Sequence, residues 1–125
     1  MDKMKKLPDT EFQIMKAVWA VEPPVSSYKI MQHLGNENKW VIQVVISFLS
    51  RLVDRGFLRT EKIGRDRIYF PLVTREEYLE FETNSFIKQY HESSFISFLD
   101  TLYKNKSLTN KDIDELSEWF KERKE

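Results

Sequence analysis

One amphipathic stretch decides the fold: Asn38–Gly56, which reads NKWVIQVVISFLSRLVDRG. At about 100° per residue its apolar side chains gather on one side, as in a helix packed on a core. Gly56 suits the left-handed position that follows a helix, and Arg51 and Arg55 suit the negative end of the helix dipole. We therefore predict a helix here. Its apolar face comprises Val41, Val45, Phe48, Leu49 and Leu52, with Ile42 and Val53 at the edges.

The opposite face of this helix is short and polar. It carries Gln43, Ser47, Ser50, Arg51 and Asp54, with Val44 and Ile46 on the shoulders between the two faces. Hydroxyls, an amide and an arginine are the groups that contact base edges and phosphates in the major groove of DNA. The same pattern also fits a helix whose polar side meets only water. The segments around the helix must decide between these interpretations.

Two shorter helices are predicted before this stretch. The first begins at Asp9 or Thr10, which serves as its N-cap, and ends near Ala20, ahead of two prolines. Val25 reads as a short extended residue, and one of the two serines after it caps a second helix that ends at Leu34. Two short helices and a turn before a longer amphipathic helix are typical of a helix-turn-helix.

After Gly56 the periodicity changes from that of a helix to that of strands. Residues 57–62 read as one strand and residues 68–70 as a returning strand closed by Pro71, with a loop around Gly64 between them. This pattern predicts a β-hairpin with a basic tip.

Three helices followed by a hairpin is the element order of a winged helix-turn-helix. The charge distribution fits this interpretation, although the whole chain is neutral. Residues 38–67 have a net charge of +4, whereas residues 68–125 have a net charge of −4. A basic block over the third helix and the hairpin is the electrostatic footprint of a polyanion partner. We predict a mainly α fold with a small β-hairpin: a winged-helix DNA-binding domain over residues 1–73, with the recognition helix, residues 40–55, in the major groove.

The candidate DNA-contacting residues lie on the polar face of that helix and at the hairpin tip. They are Gln43, Val44, Ile46, Ser47, Ser50, Arg51, Arg65 and Arg67. The alternative is a winged helix that serves as a protein–protein interaction module without specific DNA binding, since fold does not fix function. Such a module is expected to lose the arginines of the third helix and wing, whereas this chain retains them. The retained charges therefore favour DNA as the partner.

Residues 74–125 are predicted to form helices that mediate dimerisation. Thr74 and Glu77 have capping-box spacing, residues 91–94 interrupt the helical pattern, and Thr109 or Asn110 caps a last helix. The alternative is that these helices pack back onto residues 9–72. We favour a homodimer because exposed apolar patches of this size rarely stay unpaired. The candidate interface residues are Phe81, Phe86, Tyr90, Phe95, Leu99, Leu102, Ile113, Leu116, Trp119 and Phe120.

Composition argues against other classes of protein. The chain has no cysteine, which excludes disulfides and thiolate sites, and its two histidines do not have metal-ligand spacing. No nucleophile motif or phosphate-binding glycine loop is present, so we expect neither an enzyme nor a cofactor or metal site. No apolar run approaches about 18 residues and the N-terminus lacks the apolar core of a signal peptide, so we expect a cytoplasmic protein without a membrane partner.

Four parts of the sequence together resemble the penicillinase-repressor (BlaI/MecI) family of bacterial winged-helix repressors. They are LPDTEFQIMKAVW (Leu7–Trp19), Trp40 followed by VVISFLSRLVDRGFL (Val44–Leu58), Tyr69, and LTNKDIDELSEWF (Leu108–Phe120). The resemblance covers most of the chain, and it depends on the order and spacing of these segments rather than on any one of them.

The resemblance implies a homodimer on a palindromic operator, with repression relieved by a separate sensor or protease. It places Gln43, Val44, Ser47 and Arg51 at the base-edge and phosphate positions. The family usually has threonine where this chain has Val44 and Ser47, so Val44 and Ile46 are expected to contact thymine methyl groups instead. Thr101-Leu102 stands where β-lactam-responsive members are cleaved at an Asn-Phe bond, so cleavage there is not expected. The family's copper-responsive members end in a cysteine cluster, which this chain lacks.

Overall fold

The computed structural model describes residues 4–35 and 40–124. The chain divides into two compact units, Met1–Phe81 and Glu82–Glu125. In chain order, the elements of the described residues are α1 (Asp9–Ala20), β1 (Val25–Ser26), α2 (Ser27–Leu34), α3 (Ile42–Asp54), β2 (Leu58–Ile63), β3 (Asp66–Pro71), α4 (Arg75–His91), α5 (Phe95–Lys104) and α6 (Asn110–Arg123).

The core of the first unit is built from the apolar faces of its three helices. Ile14 and Met15 of α1, Ile30 of α2, and Leu49 and Leu52 of α3 are completely buried. In α1 the buried Ile14 and Val18 are four residues apart, and in α3 Leu49 and Leu52 are three apart, which is the spacing that places side chains on one face. The first unit has the helix order and hairpin of a winged helix-turn-helix, as predicted.

The apolar face predicted for α3 is largely confirmed, and Val41 is the exception. Val45, Leu49 and Leu52 are buried, but Val41 is 53% exposed. The reason is that α3 begins only at Ile42, so Val41 has extended backbone as the N-cap residue and does not follow the helical periodicity. The recognition helix was predicted over residues 40–55, so Trp40 and Val41 lie just before the observed helix, and residues 38 and 39 lie outside the described residues.

The hairpin of β2 and β3 is longer and tighter than predicted. Ile63 pairs directly with Asp66, so the turn contains only Gly64 and Arg65 instead of the five-residue loop expected. Gly64 has φ +63° at the first central position, which is the position that requires glycine in a type II′ hairpin turn. Pro71 does not close the strand from outside but belongs to β3.

A third strand, β1, joins the hairpin. Val25 pairs with Tyr69 and Ser26 with Ile68, both antiparallel, which gives the strand order β1-β3-β2. The extended conformation of Val25 was predictable, but its pairing with a residue far along the chain was not.

The side-chain N-caps predicted from the sequence are present, except at α1. Pro8, rather than Asp9 or Thr10, is the N-cap residue, and its carbonyl accepts the first helical hydrogen bond, from the Phe12 N–H at 2.9 Å. Its φ of −57° is already close to that of a helix, so the helix begins one residue earlier than the side-chain caps suggest. Ser26 caps α2 by accepting from the Lys29 N–H.

The first unit includes the beginning of α4. Tyr78 is 3% exposed, and its hydroxyl accepts a hydrogen bond from the Leu7 N–H at 2.8 Å. Phe81 packs one turn further on, with its ring centre 5.9 Å from that of Tyr78. The compact unit therefore extends past Val73, after which the boundary was predicted. Phe81, predicted to lie in a dimer interface, instead packs against the core of the first unit.

In the second unit, each predicted break and cap is present. Residues Glu92 and Ser93 have positive φ, which ends α4, and Ser94 caps α5 by accepting from the Ser97 N–H. Thr109 and Asp112 form a reciprocal capping box at the start of α6, with distances of 3.0 and 3.1 Å. These local signals determine where the three helices begin and end.

Candidate nucleic-acid interface

The outward face of α3 presents the residues predicted to contact DNA. Their exposure follows from the burial of Val45, Leu49 and Leu52 on the opposite side, which fixes the rotation of the helix. Val44 and Ile46 are 44% and 41% exposed, which leaves apolar area available to a partner. The exposed polar members of the face are Gln43, Ser47, Ser50, Arg51 and, at its C-terminal end, Asp54.

Arg51 lies in the last turn of α3, and its guanidinium carbon is 5.2 Å from the centre of the Phe48 ring. Stacking uses the flat side of the guanidinium and leaves its edge, which carries the N–H donors, for an acceptor. Among the described residues no carboxylate pairs with Arg51. The side chain is therefore both restrained and available for a phosphate or a base edge.

Two other arginines of the basic block are already paired with carboxylates. Arg55 Nε lies 2.8 Å from Glu11 Oε2 in α1, and Glu11 is only 2% exposed. No aligned hydrogen bond reaches this oxygen, so the attraction is mainly between charges. Arg59 pairs with Glu61 and stacks on the Phe70 ring at 4.1 Å. Arg55 and Arg59, which we counted in the electrostatic footprint from the sequence, thus contribute less to it than expected.

The wing, defined as β2, β3 and their turn, carries the remaining positive charges. Arg65 occupies the second turn position, and Lys62 lies directly opposite Arg67. All three are exposed, and among the described residues none of them forms an ion pair. Together with Arg51 they give the third helix and wing a set of cations without acidic partners.

Sequence reasoning missed Glu11, and it counted the charge of Lys62 in the basic block without placing Lys62 among the residues that contact DNA. Glu11 precedes the buried residues Ile14 and Met15 by three and four positions, so helical periodicity places it on the apolar face of α1. That position was the available signal for a buried, paired carboxylate. Lys62 depends on the hairpin register, which the sequence did not specify because the turn was predicted three residues too long.

The second unit exposes a large apolar surface. A groove of about 820 Å³ lies between α5 and α6. Of the residues predicted to mediate dimerisation, Leu99, Leu102 and Leu116 are half-buried in this groove. The more exposed ones, between 39% and 68%, are Phe86, Tyr90, Phe95, Ile113, Trp119 and Phe120.

Within residues 4–35 and 40–124, no helix is both long enough and apolar enough to cross a membrane. In the same residues, no group of three or more histidine, cysteine, aspartate or glutamate side chains is placed to hold a metal ion.

Comparison with known proteins gives consistent matches. The penicillinase repressor of Bacillus licheniformis is 25% identical over 99% of this chain and 96% of its own length. The methicillin resistance regulatory protein MecI of Staphylococcus aureus (strain N315) is 20% identical over 92% of this chain and 93% of its own. The solution structure of the DNA binding domain of the repressor BlaI aligns with a TM-score of 0.52 and 26% identity, covering 62% of this chain and 94% of that domain.

The family model of the penicillinase repressors matches residues 7–122, almost the whole chain. The likeness to a repressor's DNA-binding domain agrees with the winged helix of the first unit. The resemblance found in the sequence is thereby confirmed, and this protein belongs to the penicillinase repressor family.

Proposed function

We propose that this protein is a transcriptional repressor that binds operator DNA as a homodimer. Its family membership and its relatives, named as repressors, support the class. The observation that carries the proposal is the exposed face of α3, which presents polar and β-branched side chains. The same unit carries four cations without acidic partners among the described residues: Arg51, Lys62, Arg65 and Arg67. A groove-facing helix flanked by such cations combines base-edge readout with phosphate attraction.

The face of α3 divides into two kinds of readout. Gln43 and Ser47 supply donors and acceptors for base edges, and Arg51 supplies a two-pronged donor for guanine or for a phosphate. Val44 and Ile46 supply apolar surface that suits thymine methyl groups. Ser50 completes the polar row, and Arg65 and Arg67 of the wing contact the backbone.

Gel shifts of the purified protein on fragments of the DNA upstream of its own gene test this function. We expect one fragment to bind much more tightly than the others, by a factor of about 10³ or more, with affinity that falls steeply as salt increases. A footprint on that fragment should show two symmetric half-sites. Equal, weak binding to every fragment would instead support the protein-interaction module.

Arg51→Ala should weaken binding to the preferred fragment by about 1–3 kcal/mol, because a bidentate base contact is lost. Binding to unrelated fragments should weaken much less. Arg59→Ala is the matched control, since Arg59 is already held by Glu61 and Phe70. Fluorescence anisotropy titrations on cognate and unrelated duplexes measure the affinities of both variants. If Arg51→Ala loses equal affinity for both duplexes, Arg51 contacts the DNA backbone and not a base.

The dimer proposal is supported by the apolar surface of the second unit. The groove between α5 and α6 and the exposed aromatic side chains are both apolar. In a two-fold dimer, a second copy covers this apolar surface with the same surface of its own. Two winged helices held together in this way match two half-sites of a palindrome. The proposed interface consists of the predicted residues other than Phe81.

Leu116→Ala should weaken the dimer by about 2 kcal/mol or more if this half-buried residue lies at its centre. Trp119→Ala should act in the same direction. Tyr28→Ala is the control, because Tyr28 is a 68% exposed aromatic in the first unit. Sedimentation velocity across micromolar concentrations measures the shift from dimer to monomer. A full chain that is monomeric at these concentrations contradicts the proposal.

The same proposal includes a separate sensor or protease that ends repression. Thr101-Leu102 lies inside α5, and Leu102 is half-buried in the groove. The bond lies inside a regular helix and differs from the Asn-Phe pair, so we do not propose cleavage at this position as the step that ends repression.

A further inference from the structure

Lys62 and Arg67 form an unfavourable pair in the free protein. They lie directly opposite each other on β2 and β3, where Cβ atoms are about 4.5–5.5 Å apart and like charges destabilise a sheet. Among the described residues neither has a carboxylate within ion-pair distance. In the free wing the repulsion between these two cations is therefore not offset by a carboxylate.

The strand register shows which face of the wing carries this pair. Lys62 lies on the same face as Thr60, and Arg67 on the same face as the buried Tyr69, because side chains alternate along a strand. Burial raises the pKa of the Tyr69 hydroxyl, and the charge of Arg67 acts in the opposite direction, which agrees with their sharing a face. Lys62 and Arg67 thus lie on the core-facing side of the sheet, nearer to the turn than the buried Tyr69.

The outer face of the wing is different. Arg59 and Glu61 lie there and neutralise each other. The two faces therefore differ in net charge, and only the inner face presents unpaired cations next to each other.

We propose that Lys62 and Arg67 form a clamp that holds one backbone phosphate of DNA between them. The clamp rests on the proposed DNA-binding function and adds Lys62 to its contacts. A phosphate between the two cations replaces their repulsion by two attractions: the guanidinium donates through its planar fork and the ammonium acts as a point charge. DNA binding and wing stability are coupled as a result, since DNA removes a repulsion that the free wing contains.

A charge series at residue 62 tests the coupling. Lys62→Gln removes the repulsion and Lys62→Glu converts it into an attraction, so the thermal midpoint of the free protein should rise in that order, by about 1–4 °C at each step. Affinity for DNA should fall in the same order. A midpoint that falls, or an affinity that does not, overturns the clamp.

The number of phosphates is tested by the salt dependence of the Lys62→Gln/Arg67→Gln double variant. Loss of one shared phosphate makes the negative slope of log K against log[salt] less steep by about 0.9 relative to the unaltered protein. A change of about 1.8 in the same direction would mean two separate phosphates, and no change would mean no contact; either result overturns the clamp. Arg59→Gln, on the outer face, is the control and should leave the slope unchanged.

These slopes can be measured on any duplex, because phosphate contacts do not depend on sequence. Failure of the clamp is therefore distinguishable from failure of the proposed repressor function. The first changes the slopes, whereas the second appears as equal affinity of the unaltered protein for all DNA fragments.

Discussion

A fragment of residues 1–73 is expected to be unfolded, whereas a fragment of residues 1–84 is expected to fold. The difference lies in Tyr78 and Phe81, which complete the aromatic cluster of the first unit. The Tyr78 ring is 5.6 to 5.9 Å from those of Phe12, Trp19 and Phe57. Removal of a buried aromatic side chain such as Tyr78 costs about 3–5 kcal/mol. The loss of the half-buried Phe81 adds to this cost, so the total approaches the lower end of the stability of a small domain, about 5–15 kcal/mol.

Circular dichroism melts of the two fragments measure this difference. The longer fragment should also be monomeric in sedimentation and should bind the operator about 10²–10⁴ times more weakly than the full chain, because its two half-sites are no longer engaged as one linked ligand. Tyr78→Ala in the longer fragment should bring its melting close to that of the shorter one. A cooperative melt for residues 1–73 would show that α4 is not part of this core.

Arg55→Ala is expected to lower the free energy of unfolding by about 3 kcal/mol, because it leaves the carboxylate of Glu11 buried without its partner. Glu11 is 2% exposed, and Arg55 reaches it from the end of α3. Arg59→Ala is the matched control: it breaks an ion pair whose side chains are both about half exposed, and such pairs contribute about 0–1 kcal/mol.

Urea unfolding of the single variants and of the double variant Glu11→Leu/Arg55→Met separates the causes. Replacement of both charges by apolar groups should recover most of the stability that Arg55→Ala loses, because no charge then remains buried alone. If Arg55→Ala costs no more than Arg59→Ala, the ion pair is not buried in solution and Glu11 reaches water. The double variant serves as the reference for apolar packing at the same two positions.

The parts of the fold that were predictable from the sequence depend on residues close together in the chain. The capping box of Thr109 and Asp112 and the buried face of α3 are set within a few residues, so local rules identify them. The same holds for Gly56, whose φ of +84° follows directly from its position after α3. The exposed face of α3 was predictable as the complement of the buried one.

The features that were not predictable depend on contacts between distant segments. The pairing of Glu11 with Arg55, the packing of Tyr78 near Leu7, and the pairing of Val25 with Tyr69 all join residues whose relation appears only in the folded chain. The pairing of Lys62 with Arg67 follows from a turn that could have been either two or five residues long. Charge counting along the sequence could not show which arginines are already neutralised.

Ser26 has two roles at once. It is the last residue of β1, paired with Ile68 of the wing, and its side chain caps the first turn of α2. The base of the wing and the N-terminus of α2 therefore share one residue, so opening of either disturbs the other. Beyond Ile68 the wing tip is held only by the pairing of β2 with β3, so we expect local opening of the tip to cost less free energy than opening of the body of the domain.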